Sequence, residues 1–120
     1  MSKVTVYTYK NCDTCRQAVK WLGLHGIVFE ERPIRETPPT LPELRAMQKA
    51  LGGERRRLFN TSGLDYRTLK LGEKLVSMDD AEVLRLLAGN GNLVKRPFLI
   101  GNCVGLVGFI EADWASALIN

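Results

Sequence analysis

No stretch of this 120-residue chain comes near the ~20 consecutive apolar residues of a membrane-spanning helix. Histidine occurs once, at His25, and cysteine three times, at Cys12, Cys15 and Cys103. A secreted disulfide framework uses an even number of cysteines at regular spacing, so three at irregular spacing argue against one. A zinc site needs four ligands. Beyond the close pair, only Cys103 and His25 remain as soft candidates, and there is no second C-x-x-C and no H-x-x-x-H. No metal is expected. The start, Met1-Ser2-Lys3-Val4-Thr5, lacks a charged leader, an apolar core and a small-residue cleavage site. These absences predict a cytoplasmic protein with no membrane partner. In a reducing compartment a close cysteine pair is more often catalytic or metal-binding than structural.

The chain is also not strongly charged. Lys and Arg total 17 against 13 Asp and Glu, a net charge of +4. That favours anionic partners but is too small to imply direct nucleic-acid binding. The densest basic run, Arg55-Arg56-Arg57, reads as a solvated helix face. The length suits one domain, expected over residues 1–120, that can bury a core without a disulfide staple.

Along the chain, Lys3 to Thr8 alternates polar and apolar and predicts a strand. Lys10-Asn11 form a short loop. From Cys12 a helix is expected, with Cys15, Ala18, Val19 and Leu22 on its apolar face and Gly26 as its stop. Ile27-Val28-Phe29 reads as a second strand, completing a right-handed βαβ unit. Thr40 and Glu43 give a capping-box signal for a helix carrying Leu44, Met47 and Leu51, ended by Gly52-Gly53. Leu64 to Leu71 predicts another helix. Ser77 with Asp80 predicts the start of one carrying Val83, Leu84, Leu87 and Ala88. Gly89-Asn90-Gly91-Asn92 reads as a loop. Phe98–Ile100 and Val104–Val107 flank Gly101-Asn102, the expected hairpin turn. A last helix is expected to pack Ile110, Trp114, Ala117 and Leu118 on one face. The order is βαβ, a helical insert, then ββα, a mixed sheet with helices on it.

Cys12-Asp13-Thr14-Cys15 carries the chemistry. The nucleophile is the thiolate, and free cysteine titrates near ~8.5. A helix N-terminus supplies unpaired N–H groups and partial positive charge, which stabilise a thiolate at Cys12. Lys10 and Arg16 are near enough to help, and Asp13 opposes them. Cys15, one turn on and on the apolar face, is placed to attack a mixed disulfide at Cys12. Two ordinary small residues at a helix start, or a regulatory switch, are the competing readings. Arg96, in Lys95-Arg96-Pro97, offers a planar donor fork for an oxyanion or carboxylate; the alternative is a surface ion pair. Pro97 fits the first position of a strand, where no ladder N–H is needed. Cys103 reads as a packed or edge thiol, and Trp21 and Trp114 as core.

Together these residues resemble the arsenate reductase-related family, which contains ArsC, the Spx regulators and YffB-type proteins. The resemblance spans nearly the whole chain. It rests on Val6-Tyr7, Asn11-Cys12-Asp13-Thr14-Cys15-Arg16, Trp21-Leu22, Leu58-Phe59-Asn60-Thr61 with Gly63, Lys95-Arg96-Pro97 and Val107-Gly108-Phe109. It implies a thioredoxin-like α/β fold: a mixed β-sheet flanked by helices, with a helical insertion at about residues 40–92 between the βαβ and ββα halves. It implies a cis-proline at Pro97 facing Cys12, and substrate contacts from Asn11, Asn60, Arg96 and Pro97. In ArsC proteins arginines surround the nucleophile. The one before the cis-proline matches Arg96, but the segments matching Leu58–Gly63 and Val107–Phe109 carry none here. Arg67 and the Arg55–Arg57 run are the remaining candidates for reaching the site. Those segments look more like YffB-type proteins, inferred to be thiol-dependent reductases that use glutathione. The C-x-x-C looks more like Spx, which binds the C-terminal domain of the RNA polymerase α subunit and switches by its disulfide. Gly52-Gly53 and Arg55–Arg57 lie roughly where that contact surface falls.

The expected activity is thus a thiol-dependent reductase or thiol–disulfide oxidoreductase, with Cys12 as nucleophile and Cys15 resolving. No bound cofactor is expected. Glutathione is the candidate co-substrate, and glutaredoxin or thioredoxin the candidate donor. The alternatives are an Spx-type regulator and arsenate reductase proper.

Overall fold

The computed structural model describes residues 3–119. Four strands form one mixed sheet in the order β2-β1-β3-β4. β1 (Val4–Thr8) lies at its centre, parallel to β2 (Phe29–Pro33) and antiparallel to β3 (Phe98–Gly101); β4 (Val104–Val107) is an edge. A central strand is covered on both faces, so β1 buries more than alternate residues: Val4, Val6, Tyr7 and Thr8 are all buried.

The two faces carry separate cores. On one, α1 (Asp13–Leu24) and α6 (Glu111–Leu118) bring Ala18, Trp21, Leu22 and Trp114 against Val4, Val6 and Leu99. On the other, the insertion covers Tyr7 and Phe98 with Leu44 and Met47 of α2 (Leu41–Ala50) and Val83, Leu84 and Leu87 of α5 (Asp80–Ala88). The short helices α3 (Leu64–Thr68) and α4 (Leu71–Lys74) complete the insertion. An isolated antiparallel bridge, Phe59 to Val94, ties it down, with Asn60 N–H donating to the Leu93 carbonyl at 2.7 Å and Lys95 N–H to the Leu58 carbonyl at 2.8 Å. The bridge holds Asn60 and Arg96 at one end of the sheet, beside the start of α1.

Several local expectations are corrected. β2 begins at Phe29 rather than Ile27. Gly26 sits at φ 66, and Ile27 N–H closes the end of α1 on the Leu22 carbonyl at 3.1 Å, so the strand starts after the helix cap is complete. Its Glu30, Glu31 and Arg32 are edge-strand residues, which hid its true extent from a hydrophobic reading. Trp21, not Val19, takes the fourth buried position of α1. The stretch Leu64 to Leu71 is broken at Lys70, which adopts φ 55. α5 is capped by Asp79 with Glu82, not by Ser77 with Asp80. Ser77 instead donates to the Lys74 carbonyl at 3.1 Å. Gly101 pairs with Val104, so the hairpin turn is Asn102-Cys103, with Cys103 at φ 65. Ile110 caps α6 and is 60% exposed, leaving Trp114 as that helix's buried anchor. Arg55–Leu58 is a 3-10 turn rather than a helix face.

Candidate functional site

β1 ends at Thr8 and the chain turns tightly into α1, with Cys12 N–H donating to the Tyr9 carbonyl at 3.1 Å. Cys12 is the N-cap of α1, in extended conformation at φ -117 and ψ 110. Its Sγ accepts the Cys15 N–H at 3.2 Å, using one of the N–H groups a helix start leaves unpaired. A sulfur thus occupies the place a serine or aspartate oxygen usually fills. Cys12 is half-buried and Cys15 only 2% exposed, and both are free thiols. Burial, reinforced by the hydrogen bond to Cys12, pushes the Cys15 thiol up to about 12. A Tyr9 backbone hydrogen bond and the Arg96 charge act in the other direction.

The expected site residues fall in different places. Arg16 donates to the Lys10 carbonyl and pairs with Asp13, so its charge is balanced on the surface rather than aimed at Cys12. Lys10 is exposed and lines a cavity of about 250 Å³ on the β2 side, which also touches Cys15, Lys20 and Glu31. Asn11 donates to the Tyr9 hydroxyl at 3.3 Å. Pro97 is buried, follows a cis peptide bond, and accepts the Gly108 N–H at 2.9 Å. Cys103 is exposed at the hairpin turn, away from the pair, and Trp21 and Trp114 pack in the core.

Arg96 is a charged group that interacts with both cysteines. Burial lowers its pKa, the charges of Cys15 and Cys12 oppose that, and Arg35 lowers it further. Its Nη2 donates to the Gly91 carbonyl at 2.7 Å, while Nε is buried without a protein partner. The Arg96 guanidinium lies 5.6 Å from the Tyr9 ring centroid, and that of Arg35 lies 5.1 Å from the same ring. Arg35 also donates to the Tyr9 hydroxyl at 2.9 Å. The Asn11 bond, followed by Arg35, lowers the Tyr9 pKa.

A cavity of about 600 Å³ opens beside Thr14 in the first turn of α1. Arg56, Arg57, Lys95 and Arg96 line it with Phe109. Two of the three arginines in the suspected run, Arg56 and Arg57, therefore reach the site region. Arg55 does not: it donates to the Leu75 and Met78 carbonyls on the other side of its turn. Arg67 donates to the Ser62 carbonyl at 3.1 Å and does not line this cavity. Sequence reasoning missed Arg35 and Tyr9. The only available signal was that a parallel β1–β2 pair brings the residues after each strand together. Among the described residues no group of acidic, cysteine and histidine side chains is arranged to hold a metal, and no helix is long and apolar enough to cross a membrane.

A strand feeding a helix capped by the first cysteine of a C-x-x-C, with a cis-proline at the start of the neighbouring antiparallel strand, defines a thioredoxin-like protein. Within that class the chain belongs to the ArsC family, whose model matches residues 7–117. It is 44% identical over 116 residues to the uncharacterized protein YusI of Bacillus subtilis, covering 93% of this chain and 98% of that one. The global transcriptional regulator Spx of Listeria innocua is 30% identical over 110 residues, 92% of this chain and 82% of Spx. The solution structure of SACOL0876 from Staphylococcus aureus superposes with a TM-score of 0.86 at 37% identity, covering 98% of this chain and 99% of that one.

Proposed function

We propose that this protein is a thiol-dependent reductase acting by thiol–disulfide exchange, with Cys12 as nucleophile and Cys15 as resolving thiol. The observation that carries the reading is the pair's asymmetry: Cys12 Sγ caps α1 and is half-buried, whereas Cys15 is 2% exposed one turn below. The Cys12 thiolate attacks one sulfur of a disulfide. The S–S bond breaks, the other half leaves as a thiolate, and a mixed disulfide remains at Cys12. Cys15 loses its proton to solvent and attacks Cys12 Sγ. The second half leaves, and its thiolate takes up a proton. The substrate has gained two electrons and the protein holds a Cys12–Cys15 disulfide. Two equivalents of glutathione, or one dithiol such as reduced glutaredoxin or thioredoxin, return it to the dithiol state. Arg96 and Asn60 are the groups offered for substrate carboxylates, and Pro97 is the residue offered for the backbone side of the substrate.

The test is turnover of a mixed glutathione disulfide with glutathione as reductant. Cys12→Ser is expected to abolish it and Cys15→Ser to trap the protein–substrate disulfide, visible as a mass adduct. Full activity in Cys12→Ser would refute the reading.

The Spx relatives support a second reading, a redox-switched regulator that binds the RNA polymerase α subunit. The exposed turn Gly52-Gly53, at φ 71 and 87, next to exposed Arg56 and Arg57, is the surface offered for it. Retention by the polymerase α C-terminal domain that changes on oxidation would favour it, and no retention in either state would exclude it. Arg35 beside Arg96 also suits a tetrahedral oxyanion. Arsenate turnover with glutathione and glutaredoxin is the third measurement, and a rate equal to the no-protein control rules that substrate out.

A further inference from the structure

Tyr9 is the first residue after β1, and its carbonyl accepts the Cys12 N–H at 3.1 Å, so its backbone belongs to the turn that presents the nucleophile. Its half-buried side chain serves another group. Two guanidiniums lie over the ring, that of Arg35 at 5.1 Å and that of Arg96 at 5.6 Å from its centroid. The negative face of an aromatic ring attracts a cation within about 6 Å. The ring is itself pinned at its hydroxyl, which accepts from Arg35 at 2.9 Å and from Asn11 at 3.3 Å.

Arg96 has little else to hold it. Nη2 donates to the Gly91 carbonyl at 2.7 Å, Nε is buried without a partner, and among the described residues Arg96 forms no salt bridge. A long side chain tethered at its tip keeps much of its rotamer freedom. Arg35, a like charge, works against a guanidinium at this place. Yet the Arg96 charge interacts with both cysteines. Where this guanidinium stands therefore decides how well it stabilises negative charge on sulfur during exchange.

We infer that Tyr9 is a positioning residue whose ring holds the Arg96 guanidinium beside Cys12 and Cys15. The effect on rate rests on the thiol-reductase reading, whereas the placement does not. Tyr9 acts through Arg96 and not through the turn, because the backbone bond to Cys12 is the same whatever side chain position 9 carries.

Two measurements test this. The first reads placement: the Nε–H signal of Arg96 in the NMR spectrum of the reduced, nitrogen-15-labelled protein, identified by its loss in Arg96→Gln. A ring beside it shifts this signal upfield. The shift is expected to persist in Tyr9→Phe and to vanish in Tyr9→Leu. The second reads rate: the Cys12-dependent first release from a chromogenic mixed disulfide. Tyr9→Leu is expected to slow it about tenfold, the worth of a partly desolvated cation–π contact. Tyr9→Phe and Tyr9→Trp, which keep a ring, should stay within about threefold of the parent. In an Arg96→Gln background, Tyr9→Leu should slow release no further. Thermal melts establish that each variant folds. An Arg96 signal that does not move in a folded Tyr9→Leu protein overturns the inference and leaves the reductase reading intact. An equal loss on Tyr9→Leu with and without Arg96 also overturns it, because the ring would then act elsewhere. A ring-dependent Arg96 signal in a wild-type chain without reductase activity keeps the placement and removes the reductase reading.

Discussion

Resolution of the mixed disulfide by Cys15 is expected to be the pH-limited step. Burial and the hydrogen bond to Cys12 push the Cys15 thiol up to about 12 in the reduced protein. At pH 7 it is then almost wholly protonated. Once Cys12 is bound in a mixed disulfide, its charge no longer opposes ionisation of Cys15. Burial, the larger cause, remains, so the value stays above that of a free cysteine. The reaction is still feasible because it is intramolecular: effective molarities up to ~10⁵ M and above offset so small a fraction when the two sulfurs are held one helical turn apart.

The consequence is a slope. While the pH lies well below the Cys15 pKa, each added unit raises the thiolate fraction tenfold, and the resolution rate should follow. The assay is single turnover with a chromogenic mixed disulfide, under conditions that separate the first, Cys12-dependent release from the second. The second phase is expected to accelerate about tenfold per pH unit from pH 6 to 9, and Cys15→Ser should remove it. A plateau at or below pH 8 would refute the reasoning, because it would mean that burial does not suppress this thiol. Equal amplitudes in the second phase with and without Cys15 would refute its role altogether.

Stability should fall at alkaline pH, because Cys15 and Tyr7 are both raised to about 12, Tyr7 by burial and by its bond to Glu43. Each folded-state value lies above the unfolded one, so the stability is complete below about pH 9 and is lost as pH rises toward 12; urea midpoints read this, and Cys15→Ala should flatten the decline. Trp114→Ala should cost about 3–5 kcal/mol in the same unfolding assay, since this 1%-exposed ring packs edge-on to Trp21 and Phe109. Gly91→Ala should destabilise by more than ~3 kcal/mol, because its Cβ would lie 1.9 Å from the Ile34 carbonyl oxygen. The Gly91 carbonyl also holds Arg96, so a refolded remnant of this variant should bind anions poorly.

The half of the site that was legible in the sequence is the local half. A C-x-x-C between a strand and a helical repeat fixes where the first cysteine sits, and a three-residue spacing puts Cys15 on the buried face next to Ala18. The capping box of Thr40 with Glu43 was readable for the same reason, because both partners lie within one turn. What was lost lay in pairing and in exchange of roles. Arg55–Arg57 looked like one solvated face, but a 3-10 turn sends Arg55 to carbonyls of the insertion while Arg56 and Arg57 line the groove. Asp79, not Ser77, caps α5 because Glu82 can answer it with a reciprocal bond at 3.0 Å, which depends on a second residue as much as on the first.

Arg35 was invisible for a stronger reason. Nothing near it in sequence suggests a site. Its position follows from the parallel register of β1 and β2, in which Tyr7 pairs with Arg32 and Thr8 with Pro33. Ile34 N–H then donates to the Thr8 carbonyl at 2.9 Å, and the next residue on each chain is Arg35 and Tyr9. The sheet therefore delivers this guanidinium to the ring that Arg96 approaches from the opposite half of the fold. Gly108 supports that half: its carbonyl accepts Trp114 Nε1–H at 3.0 Å and its N–H donates to Pro97, so the packing of α6 sets the loop that carries Arg96. Cys12 needs only a turn and a helix start. Its charged surroundings need both halves of the domain to close, and so they exist only in the folded chain.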